Sequence, residues 1–243
     1  MKAEYIDHMG SDLSVVNAAR VSFDKESEWL PSGSRNDYEG VVYQTINGHP
    51  VNLSEADTKL INYLAKHDHW TPFAHTSVQL RMAAPVPIRT QCFKHKQGLV
   101  ENEESRRYIN SRPVLFVPNE FRSKPTGGAK QGSDGKHPSS GYWKTLYRAK
   151  CEAMIDLYET MVADGVCPEQ ARFVLPQGVE VNWVWTGNLY AFANFYNKRK
   201  DSHAQKEIRD LADCVGAIIQ PLFPVSWKAL TNEQPQAGEN PTR

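Results

Sequence analysis

Residues 94 to 108 hold a dense run of groups able to do chemistry. Lys94, His95 and Lys96 open it, Glu101, Asn102, Glu103 and Glu104 follow, and Ser105, Arg106, Arg107 and Tyr108 close it. The closing part offers a hydroxyl and planar guanidinium forks, which suit a phosphate. The opening part sets fixed positive charge on both sides of an imidazole and so opposes its protonation. Gln91 stands one helical turn before His95, so the two can face one pocket. The residues alone leave two readings open: an anion-binding surface, or a solvated helix end that pairs with itself.

Other clusters carry less. His67, His69, His75 and His95 invite a metal reading, but no ligand spacing supports one and none is expected. The cysteines at 92, 151, 167 and 214 are scattered, with no CxxC pair. We read them as reduced, mostly buried thiols of a cytoplasmic protein.

The elements that must position these groups follow from periodicity. Residues 3–9 read as a strand, and Asp12 as the cap of a helix through Leu13, Val16 and Ala19. Residues 24–40 read as loop, and 41–53 as a small hairpin turning at Asn47-Gly48. Ser54 opens a helix with Asp57 as its capping-box partner, its apolar face formed by Leu60, Ile61 and Leu64. Val78, Leu80 and Met82 alternate as a strand. A helix then turns Ile88, Cys92 and Phe93 inward and delivers Lys94, His95 and Lys96 at its end, with Gly98 permitting the exit. Residues 122–141 read as an insertion, either a disordered loop or a lid. Residues 142–163 read as a core helix, with Leu146, Ile155, Tyr158 and Val162 inward. Pro168 starts a short helix that stops before Pro176. Val179, Val181, Trp183 and Trp185 alternate as a strand, and Thr186 or Gly187 starts the next helix. On it Asn188 and Arg199, eleven residues apart, share a face. Ser202 and Gln205 form a capping box for a last helix through Ile208, Leu211, Val215 and Ile218, stopped by Pro221. Residues 231–243 read as a disordered tail.

The chain has 243 residues, 28 of them basic and 28 acidic, and 40% hydrophobic. That allows one large domain with a sizeable core. Zero net charge argues against a general nucleic-acid binder and leaves room for a local basic pocket. No apolar run approaches a membrane span, and no signal-peptide pattern opens the sequence.

Asn102-Glu103-Glu104-Ser105-Arg106-Arg107-Tyr108 resembles the second half of Arg-His-Arg-x-x-Ser-x-Asn-x-x-Ser-x-Arg, the signature of flavin-dependent thymidylate synthases. Lys94-His95-Lys96 is similar to its first half with lysine for both arginines. The distance to Asn102 is one residue longer than in the signature, and the middle serine is missing. Met9–Phe23 resembles the opening of the same family. Thr71-Pro72-Phe73-Ala74-His75 is similar to its Ser/Thr-Pro-Phe-Glu-His, with alanine for glutamate. Ala171-Arg172-Phe173-Val174-Leu175-Pro176 resembles a nucleotide-binding segment, and Asn188-Leu189-Tyr190 resembles Asn-x-Arg with tyrosine for arginine. Asn194, Arg199 and His203-Ala204-Gln205-Lys206-Glu207-Ile208 resemble the segment of the catalytic arginine.

The resemblance implies an α/β (α+β) fold with a central, mostly antiparallel sheet flanked by helices, forming one catalytic domain over residues 1–230. It implies reductive methylation of dUMP to dTMP, with 5,10-methylenetetrahydrofolate as carbon donor and NADPH as reductant through FAD. It implies a homotetramer with sites where subunits meet, no cysteine nucleophile, no membrane and no specific nucleic acid. Methylating C5 of uracil builds negative charge at the N3–O4 edge, and Arg199 would be the catalytic cation there. Gln91, Arg107 and Arg172 would hold the nucleotide phosphate, with Glu103, Ser105 and Arg106 beside them. Ser22, His75, Lys94, His95, Lys96, Asn188, Asn194 and His203 would hold FAD, and the two lysines imply weaker flavin retention than arginines give. Two alternatives stand beside this. One keeps the fold but alkylates another pyrimidine nucleotide such as dCMP. The other is a single-stranded nucleic-acid binder stacking bases on Trp183, Trp185, Phe195 and Tyr196.

Overall fold

The computed structural model describes residues 1–31, 44–46, 49–109, 111–126 and 132–231. Its centre is a four-stranded antiparallel sheet. The strands are β1 (Lys2–Met9), β5 (Ser77–Pro85), β7 (Glu180–Gly187) and β6 (Leu99–Glu103), adjacent in that order. The alternation of Val78, Leu80 and Met82 puts all three on the buried face, where Leu80 pairs with Trp185 and Met82 with Trp183. A register shift between Tyr5 and Asp7 bulges the edge strand β1.

Helices cover that face: α1 (Asp12–Arg20), α2 (Glu55–Lys66), α3 (Thr71–Ala74), α4 (Val86–Cys92), α7 (Leu189–Lys200), α8 (Lys206–Ile219) and α9 (Pro224–Thr231). Phe192 and Phe195 of α7 and Ile208, Leu211, Val215 and Ile219 of α8 pack with Trp183 and Trp185 into one core. The expected α+β architecture with a flanked antiparallel sheet is what forms. A second small sheet joins β2 (Leu30–Pro31), β4 (His49–Asn52) and β3 (Gln44–Ile46). The expected hairpin is present in β3 and β4, whereas Val41, Val42, Tyr43 and the Asn47-Gly48 turn lie outside the described residues. Leu30 and Pro31 form a strand where loop was expected.

Several local expectations are corrected. Ser11 caps α1, accepting from the Ser14 amide. Asp12 is buried instead, and its carboxylate accepts from the amides of Val225 and Ser226 at 2.9 Å each, capping α9, a helix the sequence pattern did not announce. Ser54 caps α2 as expected, but Asp57 accepts from the Ser54 hydroxyl rather than closing the box on its amide, and also takes Arg20 and Ser27. β7 runs on through Gly187, so Asn188 caps α7, one or two residues past the expected start at Thr186 or Gly187. Ser202 does not cap α8. Asp201 binds the His203 amide in a separate turn, and α8 begins after Gln205 without a side-chain cap.

The long helix α5 (Ser140–Ala163) is not a core helix. Cys151, Ile155 and Tyr158 are buried along one stripe, while Tyr142, Trp143, Met154 and Leu157 stay 45–63% exposed. The described part of the 122–141 insertion is no free loop. Arg122 bridges Lys136, and its guanidinium grips Glu207 of α8 with bonds of 2.8 and 2.9 Å. Thr231, the first residue of the expected tail 231–243, is the last residue of α9, while residues 127–131 and 232–243 lie outside the described residues. Cys92 and Cys151 are buried, but Cys167 and Cys214 are exposed. Among the described helices none is long and apolar enough to cross a membrane.

Candidate active site

α4 is short because Pro87 starts it and Gly98, at φ +73°, ends the turn behind it. Ile88 and Cys92 anchor it in the core, so Lys94, His95 and Lys96 are presented beyond Phe93. The turn then presses on the start of α7. A side chain at Gly98 would meet Asn188, and one at Gly187 would meet Leu99 and the Gly98 carbonyl. Both approaches need glycine.

At the other end of α7, Arg199 returns to this turn. Its Nε donates to His95 Nε2 at 2.9 Å and its Nη2 to the Gln91 carbonyl oxygen at 3.0 Å. The Gln91 side chain donates to Gln205 at 2.9 Å. His95 is half-buried, with Phe195 edge-on at 5.2 Å. Burial, then the charges of Arg199 and Lys198, push its pKa down to about 4. The structure brings Gln91 and His95 together, as their spacing implied, and adds Arg199 to them from α7.

The Asn102–Arg107 segment forms a second group. Glu103 pairs with Arg89 at 2.8 Å, and burial raises its pKa. Glu104 accepts from Asn182 at 2.8 Å. Ser105 Oγ accepts from the Arg107 amide, which fixes it as a turn former. Arg106 donates to the Ser111 carbonyl, while its Nε is buried without a protein partner. Arg107 Nε lies 2.5 Å from a carboxylate oxygen of Glu169, and Arg172 Nε donates to the Glu169 carbonyl at 3.3 Å. Among the described residues no hydrogen bond or ion pair joins this group to the one around Arg199.

Of the residues expected around a flavin, Asn188 and Asn194 lie on α7 and His203 just beyond it. Asn188 Oδ1 accepts from the Ala191 amide as the cap. Asn194 lines a cavity of about 400 Å³ with Lys66, Asp68, Tyr190 and Asn197. Ser22, His75 and Lys94 are exposed, Lys96 pairs with Glu101, and His203 is exposed and bonded to Asp201.

Three participants escaped the sequence. Tyr190, standing where arginine is usual, donates to Asp68 at 2.7 Å, and Asp68 sits at φ +57°. Buried Thr76 accepts from the Leu189 amide and so ties α3 to the start of α7. Glu169 looks in the sequence like an ordinary first-turn acid. Among residues other than glycine, aspartate is one of the few enriched in a left-handed backbone, a faint signal for Asp68. Nothing local signals the other two.

The stacking platforms proposed for nucleic acid are not available. Trp183, Trp185 and Phe195 are 0–2% exposed, and Tyr196 packs against Trp227. Among the described residues no group of histidines, cysteines and carboxylates has the geometry to hold a metal ion.

The family profile described as thymidylate synthase complementing protein matches residues 4–225. A flavin-dependent thymidylate synthase of Kosmotoga olearia is 31% identical, over 93% of this chain and 88% of its own length. One from Thermosipho africanus is 30% identical, over 92% and 88%. The crystal structure of a UMP/dUMP methylase, PolB from Streptomyces cacaoi bound with 5-Br dUMP, superposes with a TM-score of 0.75 at 25% identity, covering 95% of this chain and 94% of that one.

Proposed function

Because this chain belongs to the thymidylate synthase complementing protein family, which its match to flavin-dependent thymidylate synthases places among those enzymes, we propose that it reductively methylates C5 of dUMP to give dTMP. The observation that carries the proposal is Arg199. A permanently charged guanidinium is held at the end of α7 by His95 and the Gln91 carbonyl, with its far edge left for a ligand. Set against the N3–O4 edge of uracil, it stabilises the negative charge that activates C5. Gln91, Arg107 and Arg172 take the nucleotide phosphate, and Glu103, Ser105 and Arg106 line the same pocket.

The residues proposed for FAD fit an extended ligand. From Asn188 at the cap to His203 beyond the last turn they follow α7, whose 12 residues span about 18 Å. Asn194 opens onto the cavity midway, and Ser22, His75, Lys94, His95 and Lys96 complete the set. When bound and reduced by NADPH, FAD supplies the hydride, and 5,10-methylenetetrahydrofolate supplies the carbon. The Lys-His-Lys triplet would meet the flavin with point charges instead of the bidentate forks of Arg-His-Arg.

The catalytic unit is one domain over residues 1–230, working in the cytoplasm as a homotetramer. Two features support assembly. Within one chain Arg107 and Arg172 share no hydrogen bond or ion pair with the Arg199 group among the described residues, and Tyr108 and Phe173 beside them are exposed, at 75% and 79%, as apolar residues of α5 also are. The test is release of tritium from [5-³H]dUMP with FAD, NADPH and 5,10-methylenetetrahydrofolate, run against UMP and dCMP. Turnover of dUMP is expected. Turnover of dCMP alone, or no FAD binding in a fluorescence titration, overturns the proposal.

A further inference from the structure

An arginine side chain samples many rotamers unless something holds it. Arg199 is held along one edge of its fork: Nε donates to His95 Nε2 and Nη2 to the Gln91 carbonyl. The opposite edge keeps three N–H donors, two on Nη1 and one on Nη2, without partners among the described residues. The Gln91 carbonyl belongs to the backbone of α4 and is fixed with it. The other acceptor is a side chain, and it accepts only in one state. Imidazole Nε2 takes a hydrogen bond while the ring is neutral and carries its proton on Nδ1.

Everything around His95 favours that state. Arg199 and Lys198 face it from α7, Lys94 and Lys96 flank it in the chain, and the nearby Glu101 carboxylate is paired with Lys96. Phe195 turns a ring edge toward it at 5.2 Å. The charge of Arg199 helps to keep the imidazole neutral, and the neutral imidazole holds Arg199.

We infer that His95 is a positioning residue: as a neutral acceptor it fixes one edge of the Arg199 guanidinium so that the other edge meets the pyrimidine. This rests on the reading of Arg199 as the cation that faces the substrate. A flavin contact by His95 would have to use Nδ1–H, since Nε2 is taken.

Two measurements test it. In the wild-type protein, an NMR titration of the His95 ring should show no protonation down to about pH 5, and Arg199→Gln should move its midpoint toward the ordinary value of about 6.5. A wild-type midpoint at that ordinary value overturns the inference, whatever happens to any variant. With FAD and dUMP saturating, His95→Leu should lower kcat for tritium release about a hundredfold, more than it alters KM for dUMP. In His95→Gln the amide oxygen can stand where Nε2 stood, and about tenfold of that loss should return. Equal losses in the two variants, or an intact kcat in His95→Leu, overturn it. If the wild type itself releases no tritium from dUMP, the thymidylate synthase reading fails, while the NMR titration still decides the pair.

Discussion

Arg107 Nε lies 2.5 Å from the Glu169 carboxylate, and Arg172 donates to the carbonyl oxygen of that same glutamate. Two arginines proposed for one phosphate thus share one residue as partner, Arg107 through its carboxylate and Arg172 through its neutral backbone carbonyl. Both Arg107 and Glu169 are half-exposed, so their pair is screened and contributes little to folding. It nonetheless competes with an incoming phosphate. Glu169→Gln should tighten dUMP about two- to fivefold by calorimetry, with no change in melting temperature. Weaker dUMP binding in that variant would mean that Glu169 orients Arg107 for the ligand.

Arg199 should act on chemistry more than on folding. Arg199→Ala should fold and bind FAD, while tritium release falls about a hundred- to thousandfold, the usual effect of removing one preorganised donor. Lysine should rescue poorly, because it cannot hold His95 and the Gln91 carbonyl with one planar edge. Near-normal release in Arg199→Ala would reduce Arg199 to a helix C-terminal cation.

The lysine triplet sets flavin affinity. Lys96 is already paired with Glu101, which leaves Lys94 as the freer charge. The double variant Lys94→Arg, Lys96→Arg should bind FAD more tightly, or equally, in a fluorescence titration of the apoprotein. A large loss would show that the extra residue before Asn102 has re-aimed the triplet around lysine's shape.

The insertion is anchored by Arg122 and Glu207, whose side chains are only 19% and 12% exposed. Burial alone would raise the Glu207 pKa, but hydrogen bonds from Arg122 and Gln205 outweigh it and hold the carboxyl below the usual value. A depressed carboxylate stabilises the fold above about pH 4.5 and loses that contribution as pH falls through the folded value. Arg122→Ala should therefore cost about 1.5–3 kcal/mol at pH 7 and much less near pH 3 in denaturant melts. Residues 123–126 and 132–135 should also become quickly cleaved by protease. Unchanged cleavage would mean that the apolar contacts of Phe121 hold the segment.

Much of the fold was legible wherever a local period decided the outcome. Val78, Leu80 and Met82 alternate because one sheet face is buried, and the same rule fixed Trp183 and Trp185. The placing of Gln91 one turn before His95 was legible too, since helix geometry sets that spacing, whereas Arg199 reaches them from α7, more than a hundred residues away. The failures share another cause. Asp12 and Ser202 each had a plausible local partner, but a better one was available elsewhere: the α9 amides for Asp12, and Asp201 as acceptor in the turn around Ser202. The apolar stripe of α5 repeats at helical spacing whether its own chain or another covers it, so the pattern cannot say which. The Glu169 carboxylate meets Arg107, and Asp68 meets Tyr190, only through long-range folding, and no window of sequence contains both members of either pair.

Asp12 and the amides of Val225 and Ser226 are separated by 213 and 214 residues. During synthesis at about 5–20 residues per second, the carboxylate waits roughly ten seconds or more before its partners are made. Until then Asp12 lacks the two amides that accompany its burial. The contact joins the first and last helices among the described residues, so a chain cut before Val225 cannot form it.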